Sequence, residues 1–135
     1  MIFRQQKITI FHIRKPHDET LNENLKWLGS SLGLFNLRDK EKSCYRVFVE
    51  LLKSARTSKP ISSDELAYKL SLTRGTVVHH LNKLMESGIV LSVSGGYILR
   101  VSNLKQLIDE LENDSKRMFE NLRNVAENID DNLGL

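Results

Sequence analysis

Residues 61–101 read ISSDELAYKLSLTRGTVVHHLNKLMESGIVLSVSGGYILRV, a sequence that predicts two helices followed by a hairpin. Ser62 followed three positions later by Glu65 forms a capping box, in which each residue satisfies a backbone N–H of the other's turn. A short helix therefore begins here. Its apolar residues fall on one side of the helix: Leu66, Ala67 and Leu70.

A second helix follows after the three-residue turn 71–73, and Thr73 is its expected N-cap. Its apolar positions share one face: Val77, Leu81, Leu84 and Met85. Gly88 is expected to end it, because glycine tolerates the left-handed conformation common at helix ends. Two apolar runs, 89–93 and 97–101, then predict strands. Ser94, Gly95 and Gly96 between them suit a tight hairpin.

The preceding residues predict a strand and two helices. Residues 6–13 are rich in Ile and Phe and alternate loosely, which favours a strand that ends by Pro16. Asp18 is the expected cap of a helix, with the glycines at 29 and 33 weakening its end. Its leucines share one face: Leu21, Leu25, Leu28 and Leu32. Another helix is expected over about 39–55, with a buried stripe of Tyr45, Phe48, Val49 and Leu52.

The last segment, about 103–132, contains no glycine or proline and predicts one long helix. Its apolar residues follow a heptad pattern with one polar interruption at Ser115, which is typical of a coiled coil. Such a stripe should not face water, so it is expected to be a dimer interface. The alternative is that it folds back onto the leucine face of residues 21–32 in a monomer. The expected interface residues are Leu104, Ile108, Leu111, Met118, Leu122, Val125 and Ile129.

Composition places the 135-residue chain, with 27% charged residues, among ordinary soluble proteins. No apolar run approaches the length of a membrane span, and the N-terminus lacks a signal-peptide pattern. We therefore expect a cytoplasmic protein without a membrane partner. Residues 1–101 carry 16 Lys/Arg and 9 Asp/Glu, a net +7, whereas residues 102–135 carry 4 and 8, a net −4. The basic part suits a polyanionic partner and the acidic helix does not.

The order helix, three-residue turn, helix, hairpin is that of a winged helix-turn-helix, whose second helix can enter the major groove of DNA. The segment 70–90, LSLTRGTVVHHLNKLMESGIV, resembles the recognition helix of ArsR- and MarR-type regulators. The matching positions are Thr73, Thr76, Val77, His80, Leu81, Lys83, Leu84, Gly88, Ile89 and Val90. The resemblance implies a transcriptional regulator that binds double-stranded DNA. It also implies that the terminal helix pairs two copies.

The recognition helix is expected over about 74–87 and the wing over about 92–97. Arg74 is expected to bind a phosphate or a guanine edge, Val78 a thymine methyl, and Lys83 a backbone phosphate. Arg100, on the returning strand, is expected to bind phosphate from the wing. The complete set of expected DNA-binding residues is Thr73, Arg74, Gly75, Thr76, Val78, His79, Asn82, Lys83, Ser94, Gly95, Gly96 and Arg100.

No catalytic motif is present, so we expect no enzyme activity, no catalytic residues and no cofactor. A metal site is not expected either, because Cys44 is the only cysteine and the adjacent His79 and His80 diverge on a helix. Two alternatives remain open. The domain could mediate protein–protein contact without DNA. It could also be a sensor whose unknown small-molecule effector lies between the leucine-faced helix and the terminal helix.

The expected fold class is therefore mainly α with a small β-hairpin wing, a winged helix-turn-helix with a long C-terminal dimerisation helix. Three regions are expected along the chain. Residues 1–35 form the N-terminal strand and leucine-faced helix, residues 36–101 the winged helix-turn-helix, and residues 102–135 the coiled-coil-like helix.

Overall fold

The computed structural model describes residues 5–35 and 42–135 of the chain. Within them lie five helices and one two-stranded antiparallel hairpin. The helices are α1 Leu21–Ser31, α2 Ser43–Ser54, α3 Ser63–Leu70, α4 Arg74–Glu86 and α5 Leu104–Leu133. The strands are β1 Val90–Val93 and β2 Gly96–Leu99. This confirms a mainly helical fold with a β-hairpin and a long C-terminal helix, consistent with a winged helix-turn-helix.

The helix-turn-helix forms as its local sequence predicts. The Ser62 hydroxyl accepts a hydrogen bond from the Glu65 amide, and the Thr73 hydroxyl accepts one from the Thr76 amide, each at 3.1 Å. Both contacts satisfy amides that a helix N-terminus leaves without a partner. Helices α3 and α4 are separated by residues 71–73, as expected. Ser71 turns the chain in the left-handed conformation, with φ 53°.

Helix α2 supplies the centre of the core, but on a face other than the predicted one. The buried positions of this helix are Ser43, Cys44, Val47, Phe48 and Leu51. Of the predicted stripe only Phe48 is fully buried. Val49 and Leu52 are half-buried against the core, and Tyr45 is half-buried. The helix begins at Ser43, and part of its predicted start lies outside the described residues. Cys44 is a buried thiol that forms no disulfide.

The N-terminal segment does not form the strand predicted over residues 6–13. Its amides bind helix ends instead. The Lys7 amide donates to the Glu86 carbonyl at the end of α4 (3.0 Å), and the Phe11 amide donates to the Ser31 carbonyl at the end of α1 (2.7 Å). Helix C-termini leave carbonyls without intrahelical partners. An extended segment can therefore be held without a neighbouring strand.

Helix α1 also differs from its prediction in two details. Its N-cap is Thr20 rather than Asp18, and Leu21 is exposed while the other leucines of that face are half-buried. Gly29 lies in the last turn of the helix, which ends at Ser31, and a Cβ atom there would come within 2.8 Å of the Tyr45 ring. The glycine therefore allows α1 to pack closely against α2.

The hairpin is joined by the two-residue loop of Ser94 and Gly95, and its register pairs Val93 with Gly96. Ile61 and Tyr97 exchange two backbone hydrogen bonds, of 2.9 and 3.0 Å, which tie β2 to the start of the helix-turn-helix. Gly96 has φ 141°, and a Cβ there would lie 2.4 Å from the Ile61 carbonyl oxygen. This close approach requires glycine.

Candidate DNA-binding surface

Helix α4 is fixed from its inner face and leaves much of its outer face open. Val77, Leu81 and Leu84 are fully buried in the core. The outer positions Arg74, Gly75, His79 and Asn82 are exposed, and Val78 is half-buried. A rigidly mounted helix with a polar outer face has the geometry needed to enter a major groove, which admits an α-helix.

The first turn of α4 offers backbone amides and a cation together. A Cβ at Gly75 would meet nothing within 4 Å, so an incoming backbone has free access here. The Arg74 Nε atom lies 3.5 Å from a carboxylate oxygen of Asp64, and both side chains are more than two-thirds exposed. Such an exposed pair is weak. The guanidinium can therefore exchange Asp64 for a phosphate or a base edge.

The second half of the outer face is bordered by the N-terminal segment. The Lys83 ammonium donates to the Gly33 carbonyl at 3.0 Å, although the side chain remains exposed. Lys7 and Thr9 together with His79 and Asn82 line a shallow cleft of about 350 Å³ beside it. Lys83 is thus partly engaged within the chain. Its expected phosphate contact requires that this hydrogen bond be shared or broken.

The wing tip is exposed at Ser94 and Gly95, but its predicted arginine is not available. The Arg100 side chain is only 6% exposed, and its guanidinium binds Asp114 of α5 through two hydrogen bonds and Glu110 through a third. The prediction that Arg100 binds phosphate is therefore wrong. Gly96 likewise packs against Ile61 rather than forming the tip.

The partner of Arg100 is the most buried carboxylate among the described residues. The Asp114 side chain is 1% exposed and binds Arg100, Arg117 and the side-chain amide of Gln6 (2.8 Å). Burial alone would raise the pKa of Asp114. Hydrogen bonds from Arg100 and Gln6 and the charges of both arginines outweigh it and hold the pKa below its ordinary value. The cluster joins the wing, α5 and the N-terminal segment.

Two exposed residues near this surface were missing from the prediction. Tyr68 on α3 is 88% exposed, and Lys7 lies beside α4. In a helix-turn-helix the first helix crosses the DNA backbone, where a phenol can donate to phosphate. The sequence carried a signal for Tyr68, because it lies off the apolar side of α3. It carried none for Lys7, whose position depends on a long-range contact.

The terminal helix divides its apolar residues between the core and the solvent. Leu107 and Leu111 are buried in the same core as α4, while Leu104 and Met118 are half-buried. Leu111 is therefore unavailable as the interface residue it was predicted to be. From residue 119 onward every position is exposed. The large apolar side chains of this exposed part are Phe119, Leu122, Val125, Ile129, Leu133 and Leu135.

Within residues 5–35 and 42–135, no group of three or more His, Cys, Asp or Glu is placed to hold a metal ion. No helix in this part of the chain combines the length and apolar character of a membrane span.

The helix-turn-helix is similar to a known family of bacterial regulators. Residues 49–92 match the model of the arsR family of bacterial regulatory proteins. The match runs from α2 through β1, so it includes the whole of α3 and α4. It supports the ArsR part of the resemblance and gives no support to the MarR part. A search of curated proteins found no match to this chain.

Proposed function

We propose that this chain, whose residues 49–92 match the arsR family of bacterial regulatory proteins, is a dimeric transcriptional regulator that binds specific double-stranded DNA. The observation that carries the proposal is α4. Its inner face is anchored by fully buried side chains, and the outer face of its first turn is open. A cytoplasmic location and the absence of catalysis belong to the same proposal.

Helix α4 enters the major groove with its first turn leading. Thr73, Arg74, Gly75 and Thr76 face phosphate or base edges there, where the helix dipole favours an anion. Val78, His79 and Asn82 lie along the groove floor. The exposed loop of Ser94 and Gly95 lies over the adjacent backbone. Tyr68 from α3 and, once released from Gly33, Lys83 supply further phosphate contacts.

Two copies pair through the exposed half of α5. Residues 115–124 carry Lys116, Arg117 and Arg123 against Glu120, a net +2, whereas residues 125–135 carry three acids and no cation, a net −3. Antiparallel pairing sets opposite charges against each other, and parallel pairing sets like against like. The charges therefore favour an antiparallel dimer, in which Leu122 and Val125 lie near the twofold axis.

Cysteine cross-linking tests the pairing. With a short bismaleimide, Val125→Cys should cross-link, because the residue lies near the axis. Leu133→Cys should not, because antiparallel helices would separate its two copies by about 27 Å at 1.5 Å per residue. Efficient cross-linking of Leu133→Cys would instead indicate parallel helices. Cys44 is buried, so the wild-type chain serves as the unreactive control.

Fluorescence anisotropy with DNA from upstream of the protein's own gene tests the function. We expect saturable binding that exceeds binding to unrelated DNA and weakens steeply as salt rises, because phosphate contacts release counterions. Arg74→Ala should weaken this binding. The matched control Lys105→Ala, which removes one cation from α5, should not. Affinity that is independent of salt and sequence would instead favour a protein–protein module.

A further inference from the structure

An open cleft of about 790 Å³ lies between the N-terminal segment and α1. Three aromatic rings line it, those of Phe11, Trp27 and Phe35. Its volume falls within the range of small-molecule sites, about 300–1,000 Å³. The Trp27 indole donates to the Ile13 carbonyl at 3.0 Å, which fixes the ring in the wall of the cleft.

Three cations share the same cleft: Arg14, Lys26 and Lys42. Among the residues that the structure describes, the lining contains a single carboxylate, Glu23, which lies 3.9 Å from Lys26. The Lys42 ammonium lies 5.1 Å from the centre of the Phe35 ring, so charge and aromatic surface adjoin each other. Phe11 is 56% exposed in this position, a large apolar side chain in contact with water.

We propose that this cleft binds an amphipathic organic anion, with one carboxylate and an aromatic or alkyl body. The rings cover the body, and the excess of two positive charges in the lining selects the carboxylate. A neutral molecule of the same shape would gain no attraction from the positive charges of the lining, and a cationic one would be repelled by them. The site lies between the N-terminal segment and α1, away from the position beside α5 expected from the sequence.

The cleft is connected to the recognition helix, and this second part rests on the proposed function. The segment that contributes Phe11 also runs past the end of α4, where the Lys7 amide binds the Glu86 carbonyl. Gly33, which follows α1, accepts the hydrogen bond from Lys83. A ligand that moves the segment against α1 therefore changes the position of Lys83, and with it the affinity for DNA.

Trp27 is the only tryptophan, so its fluorescence reports on the cleft without any DNA. Decanoate, below its micellar concentration, should shift the emission in a saturable way, and decyltrimethylammonium should not. The double variant Arg14→Gln with Lys26→Gln should weaken decanoate binding about tenfold or more. The control Lys53→Gln with Lys105→Gln removes the same charge elsewhere and should bind normally.

Three outcomes would overturn the site: no saturable shift with decanoate, an equal response to the cationic amphiphile, or equal affinity in both double variants. A change in Trp27 emission on diluting the ligand-free protein would assign the cleft to contact between copies instead. Anisotropy with the upstream DNA tests the connection, and saturating decanoate should change the DNA affinity at least threefold. Unchanged affinity would refute the connection alone. If the ligand-free chain does not bind DNA, the proposed function fails while the Trp27 titration still decides the site.

Discussion

Asp114→Asn is the substitution that the structure makes most informative about how the wing is held. It keeps the shape of the side chain and removes its charge. Arg100, whose side chain is 6% exposed, then loses its counter-charge and one of the two oxygens that accept its hydrogen bonds, because the asparagine NH2 group cannot accept. Removing one member of a buried ion pair typically costs 3–5 kcal/mol, because the remaining charge stays buried.

Arg100 keeps its 3.2 Å contact with Glu110, which is partly exposed. We therefore expect the lower end of that range, about 3 kcal/mol of unfolding free energy. For a chain of this size the loss corresponds to a fall in Tm of roughly 10–15 °C. Urea unfolding followed by circular dichroism at 222 nm measures the free energy directly.

The matched control is Asp109→Asn, which also breaks an ion pair on α5, in this case with the exposed Lys105. Exposed pairs contribute little, so this control should lose less than about 1 kcal/mol. Replacing both members, as Arg100→Met with Asp114→Leu, should recover part of the stability because no buried charge is left alone. If Asp114→Asn lowers the unfolding free energy by less than about 1 kcal/mol, the ion pair is not the buried, closely coupled pair described here.

Three other predictions follow from single contacts. The pKa of Asp114 is lowered in the folded chain, so the stability that its carboxylate contributes is present above its unfolded pKa, near 4, and is lost as pH falls through the lower folded value. In urea titrations, the stability difference between wild type and Asp114→Asn should therefore be smaller at pH 3 than at pH 6. Gly96→Ala should lower the unfolding free energy by about 2 kcal/mol or more, because its Cβ would lie 2.4 Å from the Ile61 carbonyl oxygen. Amide hydrogen exchange should become faster in the hairpin, and unchanged exchange there would contradict this prediction. The double variant Leu122→Asp with Ile129→Asp should sediment as a folded monomer, since both side chains are at least half exposed. Leu111→Asp should instead unfold the subunit, because Leu111 is buried. If the double variant still forms a dimer, α5 is excluded as the interface.

The sequence predicted the helix-turn-helix well because its signals are local. The caps at Ser62 and Thr73 each act on an amide three residues away, and Gly88 ends α4 as expected. The apolar positions of α4 were also correct, since a helix with one buried face repeats that face along the chain. These features need no knowledge of distant residues.

The errors fall where a distant partner decides the structure. Residues 6–13 have strand-like composition, yet the amides of Lys7 and Phe11 bind the ends of α4 and α1 rather than a neighbouring strand. Arg100 was predicted to be exposed, because nothing nearby in the sequence announces that Asp114 lies against it in the fold. The heptad pattern of α5 continues on both sides of Ser115, so the pattern alone did not separate the packed half, which contains Leu111, from the exposed half.

In the proposed dimer, the two copies of α4 should occupy successive major grooves, and dimethyl sulfate protection of the upstream DNA measures this occupancy. The reagent methylates guanine N7, which lies in the major groove. We predict two protected patches about 10 base pairs apart, centre to centre. Arg74→Ala should weaken binding by roughly 1–3 kcal/mol and lose protection at one guanine in each patch, if Arg74 binds a base edge. Protein that binds this DNA without protecting any major-groove guanine in a site that contains guanines would contradict the account.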